Sequence, residues 1–236
     1  MFIPLHDDNP LKNLTRPYVN YGLIGITVLV FLVTGGAESD GVREAALSFG
    51  LVPSVVNDIR ELPAEYVLIP EVATYFTYAF LHVNFLHLAG NMLFLWVFGD
   101  NIEDAVGHLR YFVFYLIAAA GGGFLYALLN ASSTLPLIGA SGAVAGIVGA
   151  YLLLHPKVKL WVLLLGTIPF RLSAGYILVA WAVFQVANLF LAAPSDENIA
   201  WLAHIGGFIA GCLLILVMRR PGVALLDRKP AHNLRT

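Results

Sequence analysis

Six stretches of this chain, about residues 18–35, 75–99, 110–130, 138–154, 172–193 and 199–218, are almost uninterruptedly apolar and are parted by polar connections. An apolar run of about 20 residues is long enough for an α-helix to cross the hydrocarbon layer of a bilayer. In lipid every backbone polar group must be bonded inside its own segment, so each run reads as a helix. The fold class that follows is all-α, a polytopic membrane bundle of six transmembrane helices. Composition bears on this directly: 59% hydrophobic and 12% charged residues, with a mean hydropathy of +0.79, leave too little polar surface for a water-soluble fold. Six spans and their connections account for residues 1–236 as one membrane domain. A net charge of −2 speaks against a nucleic-acid partner, and the single cysteine, Cys212, has no partner for a disulfide.

The connections carry their own signals. Trp161 to Ile168 is apolar but is followed by Pro169, which breaks a helix, so residues 157–171 read as a cytoplasmic loop with an interfacial segment. The first 15 residues carry Asp7, Asp8 and Pro10 and have no basic-then-apolar order, so they resemble neither a signal nor a transit peptide. With the amino terminus inside, eleven basic residues (Lys12, Arg16, Arg110, Lys157, Lys159, Arg171, Arg219, Arg220, Arg228, Lys229, Arg235) fall in inner segments and only Arg43 and Arg60 in outer ones. That asymmetry places both termini in the cytoplasm. The outer loop of about residues 36–74 is long, acidic and partly apolar, which favours a loop leaning into the bilayer.

Against this apolar background a few polar residues stand out, and such residues inside a membrane are functional hypotheses. His82, His87 and Asn91 lie in the second run, Ser141 in the fourth and His204 in the sixth. Runs two, four and six all descend from the outer face, and His82, Ser141 and His204 each lie within about seven residues of that end. At 1.5 Å per residue they share a layer roughly 10 Å or less deep. His87 and Asn91 are four apart and share a helix face. Ser141, Ala145 and Gly149 recur at four-residue spacing on one helix, and His204, Gly207 and Gly211 form an equivalent stripe on another; such stripes, rich in small residues, would let these helices close to backbone contact. Ser141, between Gly139 and Gly142 and after Pro136, opens its helix where unpaired N–H groups could receive an oxyanion.

Plainer roles exist for each residue. A membrane serine commonly bonds a carbonyl one turn back. His87 and Asn91 could be a structural pair between helices, and His82, His87 and His204 could bind zinc. The chain has no His-Glu-x-x-His motif and no second intramembrane aspartate beside Asp100, which disfavours zinc and aspartyl proteases. A transporter would continue the polar path inward, and none is visible.

The segments Tyr75-Phe76-Thr77-Tyr78-Ala79-Phe80-Leu81-His82, His87-Leu88-Ala89-Gly90-Asn91, Gly139-Ala140-Ser141-Gly142 and Ala203-His204-Ile205-Gly206-Gly207 resemble, in order and spacing, the signature elements of rhomboid intramembrane serine proteases. The resemblance covers essentially the whole chain, Trp181 and Gln185 in the fifth span included. It implies a six-helix rhomboid bundle with Ser141 as nucleophile and His204 as base. It further implies an oxyanion site of the Ser141 N–H, His87 and Asn91, with His82, Gly139 and Gly142 supporting, and no metal or cofactor. Implied substrates are transmembrane proteins whose helices unwind near the outer surface. The alternative is an inactive rhomboid-like binder of client helices. No acidic residue lies in the second, fourth or sixth run near this layer, and Asp196 and Glu197 in the outer loop are the nearest by sequence, so a Ser-His dyad rather than a triad is expected. Short termini and six spans resemble a bacterial inner-membrane (plasma-membrane) form. The chain departs from the family pattern in two places: Ala73 and Thr74 stand where many rhomboids have Trp-Arg, and Ala145 stands where many have an aromatic ring below the histidine.

Overall fold

The computed structural model of the protein describes residues 2–35, 39–164, 166–191 and 199–227. Strand β1 (Phe2–Asp7) precedes α1 (Tyr18–Val33), α2 (Asp40–Phe49) and α3 (Pro53–Val56). The second apolar run then gives α4 (Thr74–Thr77), α5 (Phe85–Phe94), a π turn at Leu95–Gly99 and α6 (Asp100–Val106). Helices α7 (His108–Leu129) and α8 (Ser141–Leu154) follow, then β2 (Lys159–Leu164), β3 (Ile168–Ser173), α9 (Ala174–Leu191) and α10 (Ile199–Met218).

The molecule is predominantly helical but not all-α. Strands β1, β2 and β3 form one antiparallel sheet in that order, and residues 157–171 are therefore mostly a hairpin rather than a loop. Leu160 and Val162 are buried while Trp161 between them is exposed, the period-two pattern of a half-buried strand. Pro169, expected to break a helix, sits opposite Leu163 on β3, an edge strand where a missing N–H costs no ladder bond.

Among the described residues three helices, His108–Leu129, Ala174–Leu191 and Trp201–Met218, are long and apolar enough to cross a membrane, and a fourth crossing arises if Glu71–Phe80 and Phe85–Val106 are taken as one broken span. That pair is bent by 87°, so the expected continuous helix over 75–99 is corrected to two helical pieces. The break falls at Leu81–Asn84, where Leu81 and Asn84 are extended and the Asn84 side chain caps α5 by accepting the His87 N–H at 2.8 Å. The apolar helices α1 and α8 have 16 and 14 residues. The start of α8 at Ser141 rather than 138 has a local cause: Gly139 has φ +127°, outside helical space.

Helix α8 is buried along nearly its whole length, with α7 and α10 packed against it. A methyl group added to Gly207 or Gly211 of α10 would overlap the carbonyl oxygens of Gly142 and Gly146 of α8. The expected stripe on α10 is thus the one in contact, whereas on α8 the contact runs through Gly142, Gly146 and Gly149, one position round from Ser141 and Ala145. Leu29, Leu32 and Val33 on α1 and Tyr176, Val183 and Phe190 on α9 face outward. Such a continuous apolar exterior suits lipid rather than water.

At the end of the bundle that carries the sheet, buried carboxylates replace missing helix caps. Pro17 cannot cap α1 with its side chain, and Glu103, fully buried, accepts the N–H groups of Val19 at 3.1 Å and Asn20 at 2.7 Å. Asp104 accepts those of Lys12, Asn13 and Leu14 at 3.1, 2.7 and 2.7 Å. Opposite, at the end where α8 begins, the 39–74 segment is not a featureless loop. Leu51 and Leu137 exchange backbone bonds at 3.0 and 2.8 Å, and Thr74 and Thr77 donate to the carbonyls of Glu71 and Phe49, each at 2.5 Å. These two threonines anchor the stretch where the Trp-Arg pair is missing. Residues 36–38 of the outer loop expected over about 36–74 lie outside the described residues.

Candidate active site

Ser141 is the first residue of α8 and is half-buried. The segment before it is held firmly. Gly139 donates its N–H to the Tyr78 carbonyl at 2.9 Å, and a Cβ at Gly139 would lie 2.6 Å from the His87 ring. The positive φ and this contact together require glycine there. The first helical bond recorded in α8 runs from the Val144 N–H to the Ala140 carbonyl at 2.9 Å. The amides of Ser141, Gly142 and Ala143 therefore lack intrahelical acceptors, as the first turn of any helix does, and collect the positive end of the helix dipole.

His82, 1% exposed, sits in the break between α4 and α5 and not on a helix as expected. Its Nε2 receives the Ala140 N–H at 3.3 Å and the Asn91 side-chain amide at 3.1 Å. A backbone amide can only donate, so Nε2 is the unprotonated nitrogen and the proton is on Nδ1, which has no partner among the described residues. His82 thereby joins the residue before the serine to Asn91. Asn91, buried, also donates to the His87 carbonyl at 3.1 Å, so both of its amide hydrogens are engaged. His87 lies against His82 with ring centroids 4.9 Å apart. His82, His87, Asn91 and Gly139 are thus brought together beside Ser141.

His204 lies on α10, three residues before Gly207, and Ser141 one residue before Gly142, so both are within one turn of the point where the backbones of α8 and α10 touch. A direct bond between them is not formed: the Ser141 hydroxyl has no hydrogen-bond partner among the described residues. His204 Nδ1 is instead bonded to Gln185 Oε1 of α9 at 2.9 Å. The rings of Trp181 and Trp201 stand 6.1 and 6.0 Å from the imidazole, tilted 33° and 87° to it. Ala145, fully buried, supplies no ring, and the two indoles provide the aromatic contacts instead. Sequence reasoning overlooked Trp201, although its spacing of three from His204 places both on one face of α10. Gln185 was visible only as part of a family pattern, although an amide in an apolar span is itself a signal. Asp196 and Glu197 lie outside the described residues.

Residues 70–221 match the family model described as Rhomboid domain. The chain is 30% identical to RHOMBOID-like protein 5 of Arabidopsis thaliana over 214 residues, covering 88% of this chain and 64% of the relative. It is 32% identical to Rhomboid protein 1, mitochondrial, of Saccharomyces cerevisiae over 144 residues, 57% of this chain and 38% of the relative. With Rhomboid protease GluP of Bacillus subtilis the identity is 26% over 217 residues, 91% of this chain and 37% of the relative. In each case the aligned part falls short of two thirds of the relative's own length.

Proposed function

This chain belongs to the rhomboid family, and we propose that it is an intramembrane serine endopeptidase that cuts transmembrane-helix substrates near the outer membrane surface. The observation that carries the reading is the gathering of His82, His87, Asn91 and Gly139 around the first turn of α8, with Ser141 on that turn and His204 across the helix crossing. The name of the Bacillus relative, a protease, agrees with it.

In this reading His204 uses Nε2, the nitrogen not bonded to Gln185, to take the Ser141 proton as Oγ adds to a substrate carbonyl carbon. Negative charge on the carbonyl oxygen meets the Ser141 N–H and donors from His87 and Asn91. His204 then gives its proton to the leaving nitrogen as the C–N bond breaks. Water attacks the acyl ester, and its proton passes through His204 back to Ser141. A 14-residue α8 spans about 21 Å against a hydrocarbon layer of roughly 30 Å, which sinks Ser141 below the surface if the other end of α8 reaches the inner boundary. A substrate helix must unwind there, because its peptide carbonyls are otherwise bonded and shielded.

One membrane domain of six crossings, plasma-membrane location of bacterial type and cytoplasmic termini complete the proposal. The unpaired Ser141 hydroxyl favours the rival reading, a binder of client helices, and one experiment separates the two. Purified protein is treated with a fluorophosphonate and given a single-span substrate. Ser141→Ala abolishes labelling and cleavage, and His204→Ala reduces both to near background. Full proteolysis by folded Ser141→Ala protein would sink the protease reading, and absence of both activities from the unaltered protein would leave the binder.

A further inference from the structure

A histidine that takes a proton through one ring nitrogen must carry its own proton on the other, and its ring must be held in the plane of attack. In the best-known serine hydrolases a carboxylate does both. Among the described residues no carboxylate bonds to His204, and Ala145 offers no ring beneath it.

Helix α9 contains two amides, and they are treated differently. Asn188 is half-buried and turns back to the Phe184 carbonyl at 2.7 Å, the usual way to satisfy an amide in a membrane helix. Gln185 is 4% exposed and reaches instead to another helix, placing Oε1 2.9 Å from His204 Nδ1. A buried amide in an apolar span is costly unless bonded, so this partner is the one that makes the residue tolerable. Trp181 precedes Gln185 by one turn on the same face, and its ring lies 6.1 Å from the imidazole and 6.3 Å from Phe208. Trp201 closes a second side edge-on at 6.0 Å. The imidazole is thus bounded by a carbonyl acceptor at Nδ1 and by two indoles.

We infer that Gln185 is the positioning residue of the Ser141–His204 dyad: its side-chain carbonyl holds the Nδ1 proton of His204 and, with Trp181 and Trp201 against the ring, keeps Nε2 aimed at Ser141. The inference rests on the protease reading above. A neutral acceptor fixes the tautomer and the aim but lends no negative charge to the imidazolium formed during attack. This distinguishes Gln185 from a triad carboxylate and gives the test its leverage.

The full-length protein is purified with Gln185→Leu, which keeps bulk but removes the acceptor, and with Gln185→Glu, which restores an acceptor and adds charge. Labelling rate with a fluorophosphonate, kcat and KM on a single-span substrate, and melting temperature are measured across the neutral pH range. Gln185→Leu should lower kcat and labelling roughly 10- to 100-fold while KM stays within about twofold. Gln185→Glu should recover most of the rate, with the acid limb of the profile moved to higher pH because an anion favours the imidazolium. A merely structural amide would lower the melting temperature and leave kcat per labelled site and the pH profile unchanged, and that outcome overturns the inference. Should the Leu variant fail to fold, the Glu variant decides, since a profile identical to the unaltered protein overturns it equally. Activity surviving in Ser141→Ala or His204→Ala would remove the protease reading itself, whereas loss there with full activity in Gln185→Leu removes only the role of Gln185.

Discussion

At His82 a single backbone amide settles the chemistry. Because Ala140 can only donate, Nε2 must accept, and the same nitrogen takes a hydrogen from Asn91. The residue therefore works as a bracket between the turn before Ser141 and the α5 face that carries His87 and Asn91. Truncating it leaves the Ala140 N–H buried without an acceptor, a loss of about 1–3 kcal/mol. His82→Ala should accordingly show a lower melting temperature as well as lower turnover. Asn91→Ala removes no acceptor from a buried backbone donor. If Asn91 frees one of its engaged hydrogens to meet the developing oxyanion, that variant should lose turnover by roughly 100-fold or more while substrate binding changes less. Turnover and melting temperature on the same preparations decide the matter, and a fully active Asn91→Ala protein would exclude it as a donor. Ser141, His204, His87 and Asn91 were legible in the sequence because polarity inside an apolar run is expensive and calls for a reason. The Ala140 amide was not, since every residue has one, and Gln185 could be noticed but not assigned, because no spacing rule links α9 to α10.

Among the elements, the long helices could be read from hydropathy and the sheet could not. Helices α1, α7, α9 and α10 begin and end within about three residues of the expected bounds, since membrane runs announce themselves by length. The 87° break at Leu81–Asn84 was hidden by uniform apolarity on both sides, and only the capping Asn84 hinted at it. The sheet joins residues more than 150 positions apart, Phe2 to Leu164, and local pattern carries no trace of such a pairing. It is fastened to the bundle through Asp7, whose Oδ2 accepts the Tyr151 hydroxyl of α8 at 2.6 Å and the Asn101 amide at 3.1 Å. Burial raises the Asp7 pKa above the ordinary aspartate value of 3.8 despite these donors. Since the folded state disfavours the anion, the penalty is absent below that ordinary value and grows as pH rises through it and through the raised one. Asp7→Asn keeps a carbonyl acceptor and never ionises. Its melting temperature should exceed that of the unaltered protein at neutral pH, and the gain should disappear near pH 3.8. A gain of equal size at both pH values would show that the effect is not ionisation.

Across the whole molecule, two sets of contacts that are independent of each other sort the connections into opposite ends. At one end β1 pairs with β2, Asp104 holds residues 12–14, the Arg220 N–H meets the Ala105 carbonyl at 2.8 Å, and Asp227 binds His155 at 3.1 Å. At the other end Leu51 pairs with Leu137, Ser54 bonds the Ser133 carbonyl at 2.9 Å, and Gly139 bonds Tyr78. Helices α1, α7 and α8 and the broken α4–α6 pair each run from one set to the other, and α9 and α10 each have one end in the first. This alternation supports six crossings even though α1 and α8 are short. The first set also holds Lys12, Lys157, Lys159, Arg171 and Arg220, and the second holds Arg60, so the charge asymmetry and the contacts divide the chain in the same way. A membrane-impermeant maleimide tests the resulting orientation. Cys212, the only cysteine, is first replaced by serine, and exposed Glu61 and His6 are then changed singly to cysteine. Glu61→Cys should react in intact cells and His6→Cys only after permeabilisation. The reverse pattern would turn the molecule over and put Ser141 near the cytoplasmic face, whereas labelling of both in intact cells would place the two ends on one side and undo the count of crossings.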